Sequence, residues 1–446
     1  MFSKVLIANR GAIARRVVRA CNALGIASVV VYSEADAGAP YLQEASEALP
    51  LRGNSAADTY LNVPALLDCL RVSGADALHP GYGFLAENAA FAEAVTAAGA
   101  TFIGPSPRWL ESMGDKVKAR ALLSQHGFPV LPGSGVVATL EAALAAAEGI
   151  GYPLMLKPSA GGGGIGMRRV RDAFELRRAF PQASQLAAGA FGDSALFLEA
   201  LVERARHVEI QLLADGRGGA VHLYERDCSL QRRHRKIIEE APAPGIERAA
   251  LEALATQAAQ AMGELGYDNV GTLETLYRSG EGFGFIEMNT RIQVEHGVTE
   301  AVTGVDLVAT QIALAAGASL PERPPLKGHA VEARVYAEDV RTGFPATGVL
   351  NRLRTPELFG VRFETGYREG QAISPYYDPL IAKVIGWGDT RAQAIGRTLV
   401  GVRALEIRGV ASNVALLERA LQDARFLAGD VHVGFFDSPA AGEWFN

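Results

Sequence analysis

The run Glu287-Met288-Asn289-Thr290-Arg291-Ile292-Gln293-Val294-Glu295-His296 crowds two glutamates, two amides and a guanidinium together directly after an apolar, strand-like segment. Charge at that density costs free energy unless it does chemistry. Read as a strand with alternating faces, residues 283–288 turn Glu287 and Asn289 the same way. Glu274, in the neighbouring run Gly271-Thr272-Leu273-Glu274, offers a further oxygen. Glu274, Glu287 and Asn289 are therefore an all-oxygen donor set suited to Mg²⁺, with Mn²⁺ as an alternative, held beside substrate phosphates. The competing reading is a set of surface ion pairs.

Lysine usage gives a second pointer. Of the 43 basic residues only seven are lysine: Lys4, Lys116, Lys118, Lys157, Lys236, Lys327 and Lys383. Arginine fills the other positions, so a lysine kept against that bias marks a place where a compact point charge serves better than a planar fork. Three of the seven fall in surroundings suited to anions: Met113-Gly114-Asp115-Lys116, Leu154-Met155-Leu156-Lys157 and Arg235-Lys236. Lys383 is a fourth candidate.

A chain of 446 residues, 49% hydrophobic and 21% charged, has material for two or three domains with substantial cores. Its net charge of −6 argues against nucleic acid as a partner, and the local basic run Arg232-Arg233-His234-Arg235-Lys236 suits a small anion better than a polymer. Cys21, Cys69 and Cys228 are odd in number and far apart, which indicates neither a disulfide framework nor a zinc site and points to a cytoplasmic location. No signal-peptide pattern precedes the strand-like segment at Lys4, and no apolar run nears the ~18 residues of a membrane span, so no membrane association is expected.

Residues 5–8 read as a buried strand, Ile13, Val17, Cys21 and Leu24 as the apolar face of a helix that Gly25 ends, and residues 27–32 as a second strand. This is the β-α-β opening of a parallel sheet. Residues 61–72 read as a helix, 76–78 as a short strand, and His79-Pro80-Gly81-Tyr82-Gly83 as the loop at its carboxyl end, where open α/β sheets bind ligands. The first unit closes near residues 103–105. A helix beyond Lys116 and an Ala-rich helix over 140–148 belong to a second unit. From about residue 326 short strands with Gly and Pro, then helices from Arg391 and Asn413, form a compact β-rich region.

Ser159-Ala160-Gly161-Gly162-Gly163-Gly164-Ile165-Gly166 contains a GxGxxG match, which four successive glycines make nearly automatic. A dinucleotide fingerprint opens a helix, whereas Met167-Arg168-Arg169-Val170 looks like a returning strand. The expectation is a strand-loop-strand flap whose glycines let backbone N–H groups approach phosphates and whose mobility lets it close over ATP. A glycine loop without a ligand is the alternative. No Walker A motif occurs.

Together these segments resemble the biotin carboxylases of the ATP-grasp superfamily, from residue 6 to about residue 436. The motifs agree in order: Ile7-Ala8-Asn9-Arg10-Gly11, His79-Pro80-Gly81-Tyr82-Gly83-Phe84, Met113-Gly114-Asp115-Lys116, the glycine flap, Arg206-His207-Val208-Glu209-Ile210-Gln211, Glu225-Arg226-Asp227-Cys228-Ser229 and the run from Glu287. The resemblance implies an α/β (α+β) ATP-grasp fold with an N-terminal Rossmann-like domain over 1–110, an ATP-grasp domain over 111–325 with a mobile lid at about 131–200, and a C-terminal β-rich domain over 326–446. It implies a ligase that uses ATP, Mg²⁺ and bicarbonate to carboxylate biotin through carboxyphosphate.

By position, Lys116, Lys157, His207, Gln231 and His234 would face ATP with Gly161, Gly162, Gly163, Gly164 and Gly166, while Glu199 and Leu201 would lie beside the adenine. Glu274, Glu287 and Asn289 would bind the metal. Lys236, Arg291, Gln293 and the Val294 backbone would hold bicarbonate, Glu295 would be the base, Arg334 would stabilise the biotin anion, and Tyr82 would neighbour the biotin ring. Tyr82, His207, His234, His296 and Arg334 each have a structural alternative in packing or hydrogen bonding.

Many members carry a basic residue at Ile165, a glutamate at Ala12 and a proline at Gly297; with Tyr377-Asp378-Pro379 these departures resemble urea-type carboxylases, alongside the acyl-CoA type as the alternative system. No Met-Lys dipeptide occurs, so the biotin is expected on a separate carrier domain or protein. The resemblance further implies a homodimer and, as a partner, a carboxyltransferase subunit. Two other readings stay open: another ATP-grasp carboxylate or bicarbonate ligase, separable by biotin dependence, and a non-catalytic ATP-binding subunit, against which the intact metal ligands and base weigh.

Overall fold

In the computed structural model, which describes residues 1–160, 165–437, 439–442 and 444, β1 (Lys4–Ile7) leads through the helix Gly11–Leu24 to β2 (Ala27–Tyr32). The helix buries Ile13, Val17 and Cys21 and stops at Gly25, whose φ of 70° glycine adopts at little cost. β3 (Glu47–Pro50), β4 (Ala77–His79) and β5 (Thr101–Phe102) complete a parallel sheet ordered β3-β2-β1-β4-β5. The strand order reverses at β1, so the loops after β1 and β4 flank a crevice. Asn9 ties them together, donating to the carbonyls of Pro80 at 2.7 Å and Tyr82 at 2.8 Å.

A second, antiparallel sheet consists of β6 (Leu154–Pro158), β7 (Arg168–Val170) and β8 (Leu196–Ala200), in the order β7-β6-β8. The returning strand expected after the glycine run is thus β7; Gly161, Gly162, Gly163 and Gly164 lie outside the described residues.

The third layer begins with β9 (Arg206–Asp215), β10 (Ala220–Arg232), β11 (Arg235–Ala241), β12 (Asp268–Arg278), β13 (Gly282–Asn289) and β14 (His329–Tyr336). Next come β15 (Gly348–Val349), β16 (Arg352–Arg354), β17 (Val361–Thr365), β18 (Ala372–Ile373), β19 (Leu380–Gly388) and β20 (Glu406–Arg408). Eight of these strands form one antiparallel sheet ordered β13-β12-β9-β10-β11-β14-β19-β17, while β15 pairs with β18 and β16 with β20. The C-terminal strands are therefore continuous with the central sheet through the β11–β14 ladder. One apolar core spans the join, with Leu230 and Ile238 packed among Val331, Val384, Leu417 and Phe435. Among the described residues no single helix is long and apolar enough to cross a membrane.

Candidate active site

The five-stranded parallel sheet, through its loops, and the three-stranded and eight-stranded sheets all line one cavity of about 730 Å³. Its floor is a lateral row across the antiparallel sheet. Glu287 on β13 lies opposite Glu274 on β12, Glu274 opposite Glu209 on β9, and Glu209 opposite Arg226 on β10. Like charges directly opposite one another destabilise a sheet, so three carboxylates in a row require cations. Lys116 Nζ meets Glu287 at 2.8 Å, and Lys236 Nζ bridges Glu209 at 2.6 Å and Glu274 at 2.9 Å. Arg226, fully buried, binds Glu209 at 2.6 Å. Burial would push the Glu287 carboxyl up, but Lys116 outweighs it and holds the group at about 2, so it stays ionised.

Lys236 makes a third contact, to Glu295 Oε1 at 2.6 Å. Glu295 stands in the loop between β13 and the helix His296–Thr303, is 0% exposed, and accepts from Arg334 Nη2 at 2.9 Å through its other oxygen. Burial opposes its charge; Lys236 and Arg334 more than compensate, and its pKa lies below the ordinary value. Arg291 in the same loop is fixed by Glu87 at 2.9 Å, Asn289 Oδ1 at 2.8 Å and Gln293 Oε1 at 3.1 Å. Asn289 and Gln293 in turn donate to Glu274 Oε1 at 2.9 and 3.1 Å. Lys236, Glu274, Asn289, Arg291, Gln293, Glu295 and Arg334 thus form one hydrogen-bonded unit, with Glu287 beside it on Lys116.

At the other end, Glu199 on β8 lies opposite Met155 on β6, one same-face step from Lys157, and Lys157 Nζ and Glu199 Oε2 form a buried ion pair. Leu201, Gln231, His234 and Tyr82 line the same cavity. His207 Nε2 is 2.9 Å from Glu274 Oε2; burial pulls the imidazole down, but Glu274 raises it to about 9, so it carries a proton near neutral pH. That charge makes it a poor metal ligand, although His207, Glu209 and Glu274 place ligand atoms within 4.8 Å of one another. Glu274, Glu287 and Asn289 are the better donor set because they are all oxygen, and their chemistry fits Mg²⁺. His234 sits in the two-residue turn between β10 and β11, where Arg233 and His234 take φ of 52° and 64°, a conformation costly without glycine. Gly166 has φ of 78° and packs where a Cβ would lie 3.0 Å from Pro158 Cγ.

Sequence reading did not single out Glu209, Glu87, Glu239 or Tyr336 as site residues. Glu209 and Tyr336 were detectable, since they follow His207 and Arg334 by two residues on one strand each; Glu87 and Glu239 arrive from another loop and strand with no local signal. Lys383 lies beneath the site, fully buried, bonded to Glu364 at 2.6 Å and to the Val294 carbonyl at 2.6 Å. The departures also have places. Ile165 and Ala12 line the cavity, and a Cβ at Gly297 would come within 2.5 Å of both Arg362 Nη2 and Ile385 Cδ1.

An N-terminal parallel unit, a small three-stranded sheet and an antiparallel sheet around one lysine- and carboxylate-lined cavity define an ATP-grasp protein. Residues 115–323 match the family described as carbamoyl-phosphate synthase L chain, ATP binding domain, while residues 1–110 and 332–438 match the biotin carboxylase N-terminal and C-terminal domains. The chain is 47% identical over 439 residues to the biotin carboxylase of Halalkalibacterium halodurans, covering 98% of this chain and 97% of that one. It is 46% identical over 442 residues to the biotin carboxylase of Haemophilus influenzae, covering 98% of each chain. The biotin carboxylase domain dimer of Hydrogenobacter thermophilus 2-oxoglutarate carboxylase, in complex with MgADP, ADP and bicarbonate, superimposes with a TM-score of 0.96 at 42% identity, covering 100% of this chain and 99% of that one. The chain belongs to the biotin carboxylase family and is an ATP-dependent ligase.

Proposed function

We propose that this cavity carboxylates biotin with bicarbonate at the expense of ATP. The observation that carries the reading is Glu295, a buried carboxylate gripped by Lys236 and Arg334 and set beside Arg291 and Gln293, in the same cavity as Lys116 and Lys157. Lys116, Lys157, His207, Gln231, His234 and Gly166, with Gly161, Gly162, Gly163 and Gly164, bind and enclose ATP; Glu199 and Leu201 flank the adenine. Glu274, Glu287 and Asn289 hold Mg²⁺, which when bound neutralises charge on the transferring phosphoryl group.

Bicarbonate binds between Lys236, Arg291, Gln293 and the Val294 backbone, an anion met by charge-assisted donors. Its charge competes with Glu295 for Lys236 and Arg334, which loosens the contacts that depress the Glu295 pKa and readies that carboxylate to accept the bicarbonate proton. The freed oxygen attacks the γ-phosphorus, ADP leaves, and carboxyphosphate forms. Carboxyphosphate splits into CO₂ and phosphate, the phosphate takes the ureido proton of biotin, and Arg334 stabilises the resulting anion as its nitrogen bonds to CO₂. Tyr82 packs beside the biotin ring.

The biotin arrives on a carrier domain or protein, and a carboxyltransferase passes the CO₂ to an acceptor, of the acyl-CoA, keto-acid or urea type. We further propose a homodimer, as in the Hydrogenobacter domain, working in the cytoplasm, in keeping with three unpaired cysteines. The test is ADP release from ATP and Mg²⁺ with and without bicarbonate and free biotin. Release that needs bicarbonate and rises with biotin is expected. Release indifferent to biotin would assign another acceptor, and no release would assign a non-catalytic or partner-dependent role.

A further inference from the structure

Arg334 reaches Glu295 through Nη2 at 2.9 Å, and its Nε contacts Glu239. Glu239 on β11 lies opposite Glu332 on β14, so the two side chains share a face at the ~4.5–5.5 Å Cβ spacing of cross-strand neighbours. Both are 0% exposed. Beyond the Arg334 contact, the oxygens of both carboxyls have no hydrogen-bond donor among the described residues. Lys383 approaches Glu332 only to 3.7 Å, and its ammonium is already bonded to Glu364 at 2.6 Å and the Val294 carbonyl at 2.6 Å.

The charged surroundings do not neutralise both groups. Glu239 faces Arg334 and Tyr336 from β14, Lys236 on its own strand, Cys228 from β10 and Glu295 from the loop. Glu332 faces Lys383 from β19, Arg334 on its own strand, Glu364 and Arg362 from β17, and again Glu295. Burial pushes Glu239 up to about 8 and Glu332 up to about 7, despite Arg334 and Lys383. Two ionised carboxylates at this spacing, out of water, repel; one proton between them removes the repulsion and adds a hydrogen bond.

We propose that Glu239 and Glu332 are positioning residues that hold one proton between them, and that this shared proton sets where Arg334 stands between Glu295 and bound biotin. The inference deepens the reading of Arg334 given above and rests on it. With the proton in place, one negative charge lies against Arg334 and the guanidinium stays available to Glu295 and the biotin anion. Without it a second negative charge draws Arg334 back toward Glu239, so rising pH weakens biotin carboxylation.

Infrared difference spectra of the wild-type enzyme, titrated through the neutral to alkaline range, read the pair directly. A protonated-carboxyl stretch that fades as pH rises and loses intensity in Glu332→Gln is expected; Glu332→Met serves if the amide does not fold. The pH profile of kcat/KM for biotin reads the link, and the alkaline limb that the pair sets should be lost in the variant, which keeps a single carboxyl against Arg334 at every pH. A wild-type enzyme without a titrating carboxyl band overturns the shared proton, and a band with an unmoved limb overturns the link to Arg334. Wild-type turnover indifferent to biotin would overturn the reading of the site instead, while the infrared result still decides the pair.

Discussion

Replacing Glu295 with glutamine tests the assignment of the base with little change of shape. The carboxylate accepts from Lys236 at 2.6 Å and from Arg334 at 2.9 Å and is 0% exposed. An amide keeps one acceptor oxygen but cannot take a proton from bicarbonate, and its NH₂ must face one of the two cations. The first loss removes general-base catalysis, about 10²–10⁴-fold in kcat, or about 3–5 kcal/mol of barrier. The second costs stability, about 1–3 kcal/mol, limited because Lys236 keeps Glu209 and Glu274 and Arg334 keeps Glu239. The two ATP-side lysines are set apart from this network, since Lys116 pairs with Glu287 and Lys157 with Glu199, whereas His207 reaches Glu295 only indirectly, through Glu274 and Lys236. ATP affinity, measured by calorimetry, should therefore stay within about threefold of wild type, while bicarbonate-dependent ADP release, followed by a coupled assay, falls by at least about two orders of magnitude. Turnover within about tenfold of wild type would refute the assignment of the base, and a parallel loss of ATP affinity would refute the separation of the two ends.

Three further outcomes follow from particular contacts. Burial holds His79 neutral with a pKa of about 3 and His296 with one of about 4, against an ordinary value of 6.5. The unfolded chain takes up these protons as pH falls through 6.5 and the folded chain does not until far lower. Stability is thus fully present above that pH and declines below it, by up to about 1.36 kcal/mol per pH unit for each histidine; denaturant titrations should show the slope, reduced in His79→Gln, and an equal slope in that variant would remove His79 from the account. Gly297→Ala places a methyl 2.5 Å from Arg362 Nη2 and from Ile385 Cδ1, and should cost about 1–3 kcal/mol in thermal unfolding; an unchanged Tm would mean that the helix start gives way freely. Glu287→Gln takes one carboxylate from the proposed metal set, and the Mg²⁺ needed for half-maximal ADP release should rise about tenfold or more. An unchanged Mg²⁺ dependence would exclude Glu287 as a ligand.

Much of this architecture was legible because it is local. The parallel opening follows from apolar runs and a helix that ends on Gly25, and the shared face of Glu287 and Asn289 follows from strand alternation. What alternation cannot provide is which face meets which. The row from Glu287 through Glu274 and Glu209 to Arg226 joins four strands drawn from residues 206–289, and its existence depends on strand order and register. The join between β11 and β14 depends on a still longer separation, which is why the C-terminal strands read as a region of their own although they extend the central sheet.

Composition helped where periodicity did not, and the reason is electrostatic. Lys116, Lys157, Lys236 and Lys383 each sit on at least one buried or half-buried carboxylate inside or beneath the cavity. A chain that otherwise uses arginine has kept lysine where an ammonium must fit among several oxygens, as Lys236 does between Glu209, Glu274 and Glu295, with no room for a planar fork. The acidic partners had no such marker, because 49 Asp and Glu residues show no comparable bias between the two types. Glu87, Glu239 and Glu332 consequently looked like any other surface acid, although Glu239 and Glu332 are buried without exposure and Glu87 fixes Arg291. Scarcity of one cation thus located the centre of the site from sequence, while the carboxylates that set its charge balance required the strand register.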